Sequence, residues 1–260
     1  MKRTIPFEKY EATGNDFIIL DFFEFEWIDL NDTNLIKKMC DRHFGIGADG
    51  LIALCSEPGM DFKMNYFNSD GNPSSFCGNG SRASVRYMQS KQGKNNFSFT
   101  AFDGMHESYV KDQLVSVKMK DINEFETTPE GKLIQSGSPH LIREVINPWE
   151  FDVNEQGRAL RKKFDPEGVN VNFIEIIGEV LRIATYERGV ESETLACGTG
   201  VTASAYYVAL KANSNGPFKL GIESKGGPLE VQMDIVGLNA TNIWLSGPAN
   251  KVFSGFYRLH

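Results

Sequence analysis

The sequence predicts an α+β protein built from two related halves, and three observations carry that prediction. Strand-like segments outnumber helix-like ones, which suits a mixed α+β fold better than a doubly wound parallel sheet. The pattern Cys-Gly-x-Gly occurs twice, as Cys77-Gly78-Asn79-Gly80 and, 120 residues on, as Cys197-Gly198-Thr199-Gly200. Each copy opens a segment of the same helical phase, with Ser81, Val85 and Met88 matching Val201, Ala205 and Val208 at i, i+4 and i+7.

In chain order, Asp16-Phe17-Ile18-Ile19-Leu20 reads as a strand and 31–39 as a short helix with Leu35, Ile36 and Met39 on one face. Strands follow at 51–55 and 62–67, then the first Cys-Gly-x-Gly helix, ending at Gln92-Gly93. Further strands are expected at 97–102, 107–110, 114–119, 169–176 and 180–186. The second helix is expected to end at Asn215-Gly216, with strands at 229–235 and 252–257 after it. Flanks match as well. Phe67-Asn68 and Tyr186-Glu187 precede their cysteines by similar distances, and glycine turns at 102–107 and 225–230 lead into strands. The halves are expected to meet in the turn-rich stretch 121–137.

Gly45-Ile46-Gly47-Ala48-Asp49-Gly50 fits a dinucleotide fingerprint, but the physics there requires a strand before and a helix after. Here a helix-like stretch ending at Arg42-His43-Phe44 comes first and the strand Leu51-Ile52-Ala53-Leu54 follows, so a helix C-cap glycine entering a tight loop is the better reading.

Composition excludes several classes. The chain has 260 residues, 41% of them hydrophobic, enough for a large core. Its net charge of −7 argues against nucleic acid and against a polybasic membrane patch. No apolar run approaches the ~18 residues of a membrane span. Lys2 and Arg3 are followed by Phe7-Glu8-Lys9-Tyr10-Glu11 rather than a signal-peptide core, so a cytoplasmic protein is expected. Cys40, Cys55, Cys77 and Cys197 are too few and too irregular for a disulfide scaffold. His43, His106, His140 and His260 show no local zinc spacing, so no sequence-local metal site is expected.

A cysteine just before a helix feels the positive end of the macrodipole, which favours thiolate. The first-turn N–H groups form an anion cradle. Two such starts facing each other present two thiols and two sets of donors to one small anion, naturally a carboxylate. That arrangement fits two-base proton transfer at the α-carbon, one thiolate taking the proton from one face and the opposite thiol supplying one to the other. The α-proton is weakly acidic, so the developing enediolate needs preorganised donors; losing one costs about 3 kcal/mol of barrier. The two titrations are coupled. Cys40 and Cys55, with apolar neighbours, read as small buried hydrophobes.

The chain resembles the diaminopimelate epimerases along almost its whole length. The resemblance rests on Gly14-Asn15-Asp16-Phe17, the run Arg42 to Gly50, Asn68-Ser69-Asp70-Gly71 and Cys77-Gly78-Asn79-Gly80-Ser81-Arg82. It continues through Ser138-Pro139-His140, Asn170-Val171, Glu187-Arg188-Gly189, Ala196-Cys197-Gly198-Thr199-Gly200 and Ser246-Gly247-Pro248-Ala249. It implies two pseudo-symmetric α/β halves, each a curved mixed or antiparallel sheet around a central helix, with the site between them. The halves would be 1–121, carrying Cys77 and rejoined by 250–260, and 122–249, carrying Cys197. It implies a cofactor-free homodimer interconverting LL- and meso-2,6-diaminopimelate, a small-molecule enzyme of lysine and peptidoglycan precursor synthesis with no nucleic-acid or membrane partner. Cys77 and Cys197 match the catalytic thiols, with Gly78, Asn79, Gly198 and Thr199 cradling the reacting carboxylate. Asn15, Asn68, Asn170 and Arg188 match substrate-holding positions, and His140 and Glu187 support the catalytic centre, Glu187 also contacting substrate.

Four positions depart from the family pattern. Ser138 stands where many members have Asn, and Gly50 where some place Gln. The stretch 190–194 is one residue longer and lacks a Gly, and Phe253 replaces a Tyr at the dimer contact. Three alternatives stay open: a proline or hydroxyproline racemase-type enzyme, a hydrolase or transferase using one cysteine with His140 as base, and a non-catalytic binder of a small dicarboxylate.

Overall fold

The computed structural model describes residues 4–74 and 76–259; Lys2, Arg3 and His260 lie outside them. The chain runs β1 (Thr4–Ala12), β2 (Asn15–Asp21), α1 (Thr33–Cys40), β3 (Gly50–Cys55), β4 (Phe62–Asn68), α2 (Gly78–Gln92), β5 (Asn96–Ala101), β6 (Gly104–Lys111) and β7 (Leu114–Lys118). It continues with β8 (Phe125–Thr128), β9 (Gly131–Gln135), β10 (Pro139–Glu144), α3 (Val153–Arg161), β11 (Asn170–Ile177), β12 (Val180–Glu187), β13 (Ser192–Thr194) and α4 (Gly198–Lys211). The last strands are β14 (Gly216–Ser224), β15 (Gly227–Val236), β16 (Asn239–Gly247) and β17 (Asn250–Arg258).

Two compact units result, Met1–Val117 with Pro248–His260, and Lys118–Gly247. In the first, the strands pair in the order β17-β1-β2-β3-β4-β5-β6-β7, parallel only at β2/β3 and β4/β5. In the second, the order is β8-β9-β10-β11-β12-β14-β15-β16, parallel only at β10/β11 and β12/β14. The sequence of parallel and antiparallel joins is the same in both. Parallel neighbours need a crossover, and the helices supply it at equivalent places: α1 and α3 in the first crossover, α2 and α4 in the second. The recurring Cys-Gly-x-Gly is therefore one point of a repeat that spans a whole unit.

Burial follows from this layering. In the first unit, Ala83, Val85 and Met88 of α2 pack against Phe17, Ile52, Phe62, Phe99 and Val115 on one sheet face. Ile36 and Met39 of α1 pack with Ile18, Leu51 and Phe67 on the other. Covered on both faces, β2 and β3 carry continuous apolar runs rather than alternation. In the second unit, Val153 and Leu160 of α3 cover Val171, Phe173 and Ala184. Val201, Ala203, Ala205 and Ala209 of α4 are fully buried. Each such Val, Leu, Ile or Phe contributes about 1.5–3 kcal/mol.

Three expectations are corrected. The stretch 121–137 is not a bare junction, since β8 and β9 pair there as a hairpin, β8 taking the edge place that β17 takes in the first unit. Helix α4 stops at Lys211, before Asn215-Gly216, because Asn213 adopts φ +51° and Ser214 N–H turns back to the Ala209 carbonyl. Gly45 is not a helix C-cap: α1 ends at Cys40 with Asp41 extended. Gly45 is required because a Cβ there would lie 2.1 Å from the Lys38 carbonyl oxygen.

Candidate functional site

Cys77 is the N-cap of α2 and Cys197 the N-cap of α4, with nearly equal backbone angles: φ −122°, ψ 108° and φ −123°, ψ 111°. Both helices are buried around their first turns, so each thiol meets the positive end of a dipole in a low-dielectric setting. The Cys77 sulfur accepts from the Gly80 N–H at 3.3 Å and lies 3.9 Å from Asn15 Oδ1. Cys40 and Cys55 differ: burial pushes the Cys40 thiol up to about 12 and raises that of Cys55.

In the first unit the loop after α1 anchors Asn15. Asn15 Nδ2 donates to Asp49 Oδ2 at 2.7 Å. That fixes the amide, so Oδ1 faces Cys77 and accepts from Asn79 Nδ2 at 3.3 Å. Arg42 grips Asp16 through two hydrogen bonds of 3.0 and 2.8 Å and reaches Asp49 at 2.7 Å. Buried Lys9 pairs with Asp16 at 2.8 Å. Burial pushes the Asp16 carboxyl up, but Arg42, Lys9 and the Asp49 N–H outweigh it and hold it at about 2. The Arg42-to-Gly50 run is thus a clamp on Asn15. Asn68 is exposed at the end of β4 opposite Gly50, and its backbone closes the turn to Asn72. A Cβ at Gly50 would lie 2.5 Å from both the Tyr66 ring and the Phe67 carbonyl oxygen, so no side chain fits there.

In the second unit His140, fully buried on β10, stands beside Asn170 in the parallel pair with β11. Thr185 Oγ1 donates to Asn172 Oδ1 at 3.0 Å, so Asn172 Nδ2 donates to His140 Nδ1 at 3.0 Å. The imidazole proton therefore sits on Nε2, 2.9 Å from both Ser138 Oγ and Thr199 Oγ1. Thr199 Oγ1 in turn lies 3.5 Å from the Cys197 sulfur. Burial pushes His140 down to about 3, with Arg188 adding to the shift. It is a neutral donor that orients the Thr199 hydroxyl, and the sulfur is the next group along.

The remaining residues fall around this chain. Asn170 Nδ2 donates to Ser138 Oγ and the Pro139 carbonyl, both at 3.2 Å, and Asn170 Oδ1 accepts the Arg188 N–H at 2.9 Å. Arg188 Nη1 is held by the Glu167 carbonyl at 2.9 Å. Glu187 accepts from Thr194 Oγ1 at 3.0 Å. The long 190–194 stretch is a hairpin return in which Glu191, at φ +58°, takes the turn and β13 pairs with β12. Gly78 and Gly198 open the two helices, and Asn79 is buried on α2.

Sequence reasoning missed Lys9, Arg82 and Asn172. Lys9 shares the alternating face of Ile5 and Phe7, and Asn172 shares that of Asn170. Those phases were the available signal. Among the described residues no cluster of His, Cys, Asp and Glu suits a metal ion, and no helix is long and apolar enough to cross a membrane.

A family model described as Diaminopimelate epimerase matches residues 7–123 and 132–252. A diaminopimelate epimerase of Flavobacterium psychrophilum is 42% identical over 254 residues, covering 94% of this chain and 97% of the relative. One from Aquifex aeolicus is 34% identical over 275 residues, covering 96% and 97%. Among solved structures, a PhzF-family phenazine biosynthesis protein of Bacillus anthracis superposes with a TM-score of 0.79 at 15% identity, covering all of both chains. A hydroxyproline epimerase of Agrobacterium vitis gives 0.70 at 13% identity, covering 100% of this chain and 94% of that one. At those identities the likeness is one of fold.

Proposed function

The chain belongs to the diaminopimelate epimerase family of isomerases, and on that premise we propose that it interconverts LL- and meso-2,6-diaminopimelate by two-base proton transfer. The observation that supports the mechanism is the matched pair of N-cap cysteines on buried helices. One thiolate takes the α-proton, the electron pair passes into the carboxylate as an enediolate, and the other thiol gives its proton to the opposite face. First-turn N–H groups at Gly78, Asn79, Gly198 and Thr199 receive the developing oxyanions. Asn15 and Asn68, with Asn170 and Arg188, hold the distal amino-acid group, and His140 and Glu187 act as positioning groups. No cofactor or metal enters this scheme.

The reading with His140 as base for a nucleophilic cysteine is disfavoured. A buried imidazole pushed down to about 3, with Nδ1 accepting from Asn172, has no proton-accepting role at neutral pH.

Incubating the reduced protein with LL-diaminopimelate in D₂O tests the proposal. Loss of the α-proton NMR signal with appearance of the meso isomer is expected. Neither exchange nor inversion from a folded protein would sink it. Arg188→Ala is expected to raise KM roughly tenfold to hundredfold through loss of a charge-assisted bond, and an unchanged KM counts against a distal role. A homodimer in the cytoplasm completes the proposal. The edge strand β17, which exposes Val252, Phe253 and Phe256, supports the dimer, and light scattering at twice the mass of one chain is the expected reading.

A further inference from the structure

Arg82 is the largest fully buried side chain of the described residues. It lies four residues beyond Gly78, the first residue of α2, and helical side chains slant toward the N-terminus. Its guanidinium accordingly folds back over the first turn, where Nη2 donates to Asn79 Oδ1 at 3.0 Å and to Thr13 Oγ1 at 2.9 Å. Both partners are neutral. Its Nε and Nη1, also buried, have no hydrogen-bond partner among the described residues. A buried cation without an anion is costly, so a negative group nearby is expected.

Burial lowers the Arg82 guanidinium to about 10, and two ionisable groups, Cys77 and then Glu11, act against that and favour its charged form. Glu11 is otherwise engaged, accepting from the Gly14 N–H at 3.1 Å and Asn250 Nδ2 at 2.6 Å. Lys9 and Arg42, in the clamp on Asn15, are themselves paired with Asp16 and Asp49. We infer that Arg82 is a positioning residue whose buried charge holds Cys77 as the thiolate in the resting protein. The Gly80 N–H already points at that sulfur, and the macrodipole acts in the same sense. The Asn15 carbonyl oxygen acts in the opposite sense, but from 3.9 Å and while bonded to Asn79. The inference rests on the two-thiol reading and extends it: Cys77 starts as the base, and Cys197, beside the Thr199 hydroxyl, starts as the thiol that supplies a proton.

The test is alkylation of the folded full-length protein by iodoacetamide across pH 5 to 10, with the Cys77 and Cys197 peptides quantified separately. The wild-type Cys77 midpoint is expected below that of a free thiol, ~8.5, and below that of Cys197. Arg82→Met is expected to raise the Cys77 midpoint by about a unit or more, slowing alkylation at neutral pH roughly tenfold. Arg82→Lys keeps the charge and is expected to restore most of the rate. A wild-type Cys77 midpoint at or above that of Cys197 overturns the inference, and this comparison needs no variant to fold. An unmoved midpoint in folded Arg82→Met overturns it too. Either result leaves the two-base mechanism standing if Cys77→Ala still abolishes inversion; inversion surviving in Cys77→Ala removes both.

Discussion

Cys77→Ala and Cys197→Ala are each expected to lower the rate of inversion by at least about a thousandfold while leaving a folded protein. Inversion needs an acceptor on one face of the α-carbon and a donor on the other, so neither thiol substitutes for its partner. A positioned acid or base contributes typically about 10²–10⁴-fold, and here the missing group is one the stereochemistry cannot do without. The structural cost is small. Cys77→Ala loses the sulfur that accepts the Gly80 N–H, a capping contact worth roughly 1 kcal/mol. Cys197 makes no side-chain cap bond to its helix. A finer signature separates this mechanism from a single-nucleophile one. The surviving thiol can still remove a proton and return a deuteron on its own face. Each variant should therefore exchange the α-proton of only one stereoisomer, without inversion. Chiral chromatography together with NMR in D₂O reads both quantities. Substantial inversion in either variant removes the two-base assignment.

The strongest signals in the sequence are local ones. Cys77 and Cys197 precede helices of the same phase, and glycine or tight turns bracket them, so the two helix starts are legible without long-range information. The strands around Phe17–Leu20 and Leu51–Cys55 are legible because both faces are covered and these runs are apolar throughout. What escapes is set by partners distant in sequence. Strands β8 and β9 carry charged residues such as the exposed Glu126 and the half-buried Lys132, and become strands by pairing with each other and, for β9, with β10. β1 carries Pro6 and five charged or aromatic side chains in succession from Phe7 to Glu11, and only its pairing with β2 and β17 defines it.

The site divides in the same way. Asn15 is marked by its motif, yet its orientation depends on Asp49, 34 residues away, and on Arg42 and Lys9 gripping Asp16. Glycine spacing in that loop fits a dinucleotide fingerprint, which the order of helix and strand around it already rules against, but the reason for each glycine shows only in the backbone. Gly45 exists to clear the end of α1, and Gly50 to clear Tyr66. Asn172 looks like any strand residue until β10 brings His140 beside β11. Ser138, a departure from the family pattern, is absorbed into that network through Asn170, His140 and Thr199.

The buried His140 makes the folded protein progressively less stable as pH falls below about 6.5. In the folded chain burial holds the imidazole neutral down to about 3, whereas the unfolded chain takes up a proton at the ordinary histidine value. Between those two values the unfolded state binds more protons. Stability is then fully present above 6.5 and is lost as pH falls, by about 1.4 kcal/mol per unit. By pH 4 the loss from this one group is about 3 kcal/mol, a large part of a typical 5–15 kcal/mol total. Asp16 acts in the same direction but later, since its folded value of about 2 lies below its ordinary 3.8 and its contribution disappears only beneath pH 4. Urea denaturation at half-unit steps from pH 7.5 to 4.5 should show that slope, and His140→Asn should flatten it at a lower baseline. The His140 ring resonances should not titrate in the folded protein across the same range. A stability that is level from pH 7.5 to 4.5, or a His140 ring that titrates near 6.5, would mean that the imidazole is charged near neutrality. It would then not be the fixed Nε2–H donor that orients Thr199 toward Cys197.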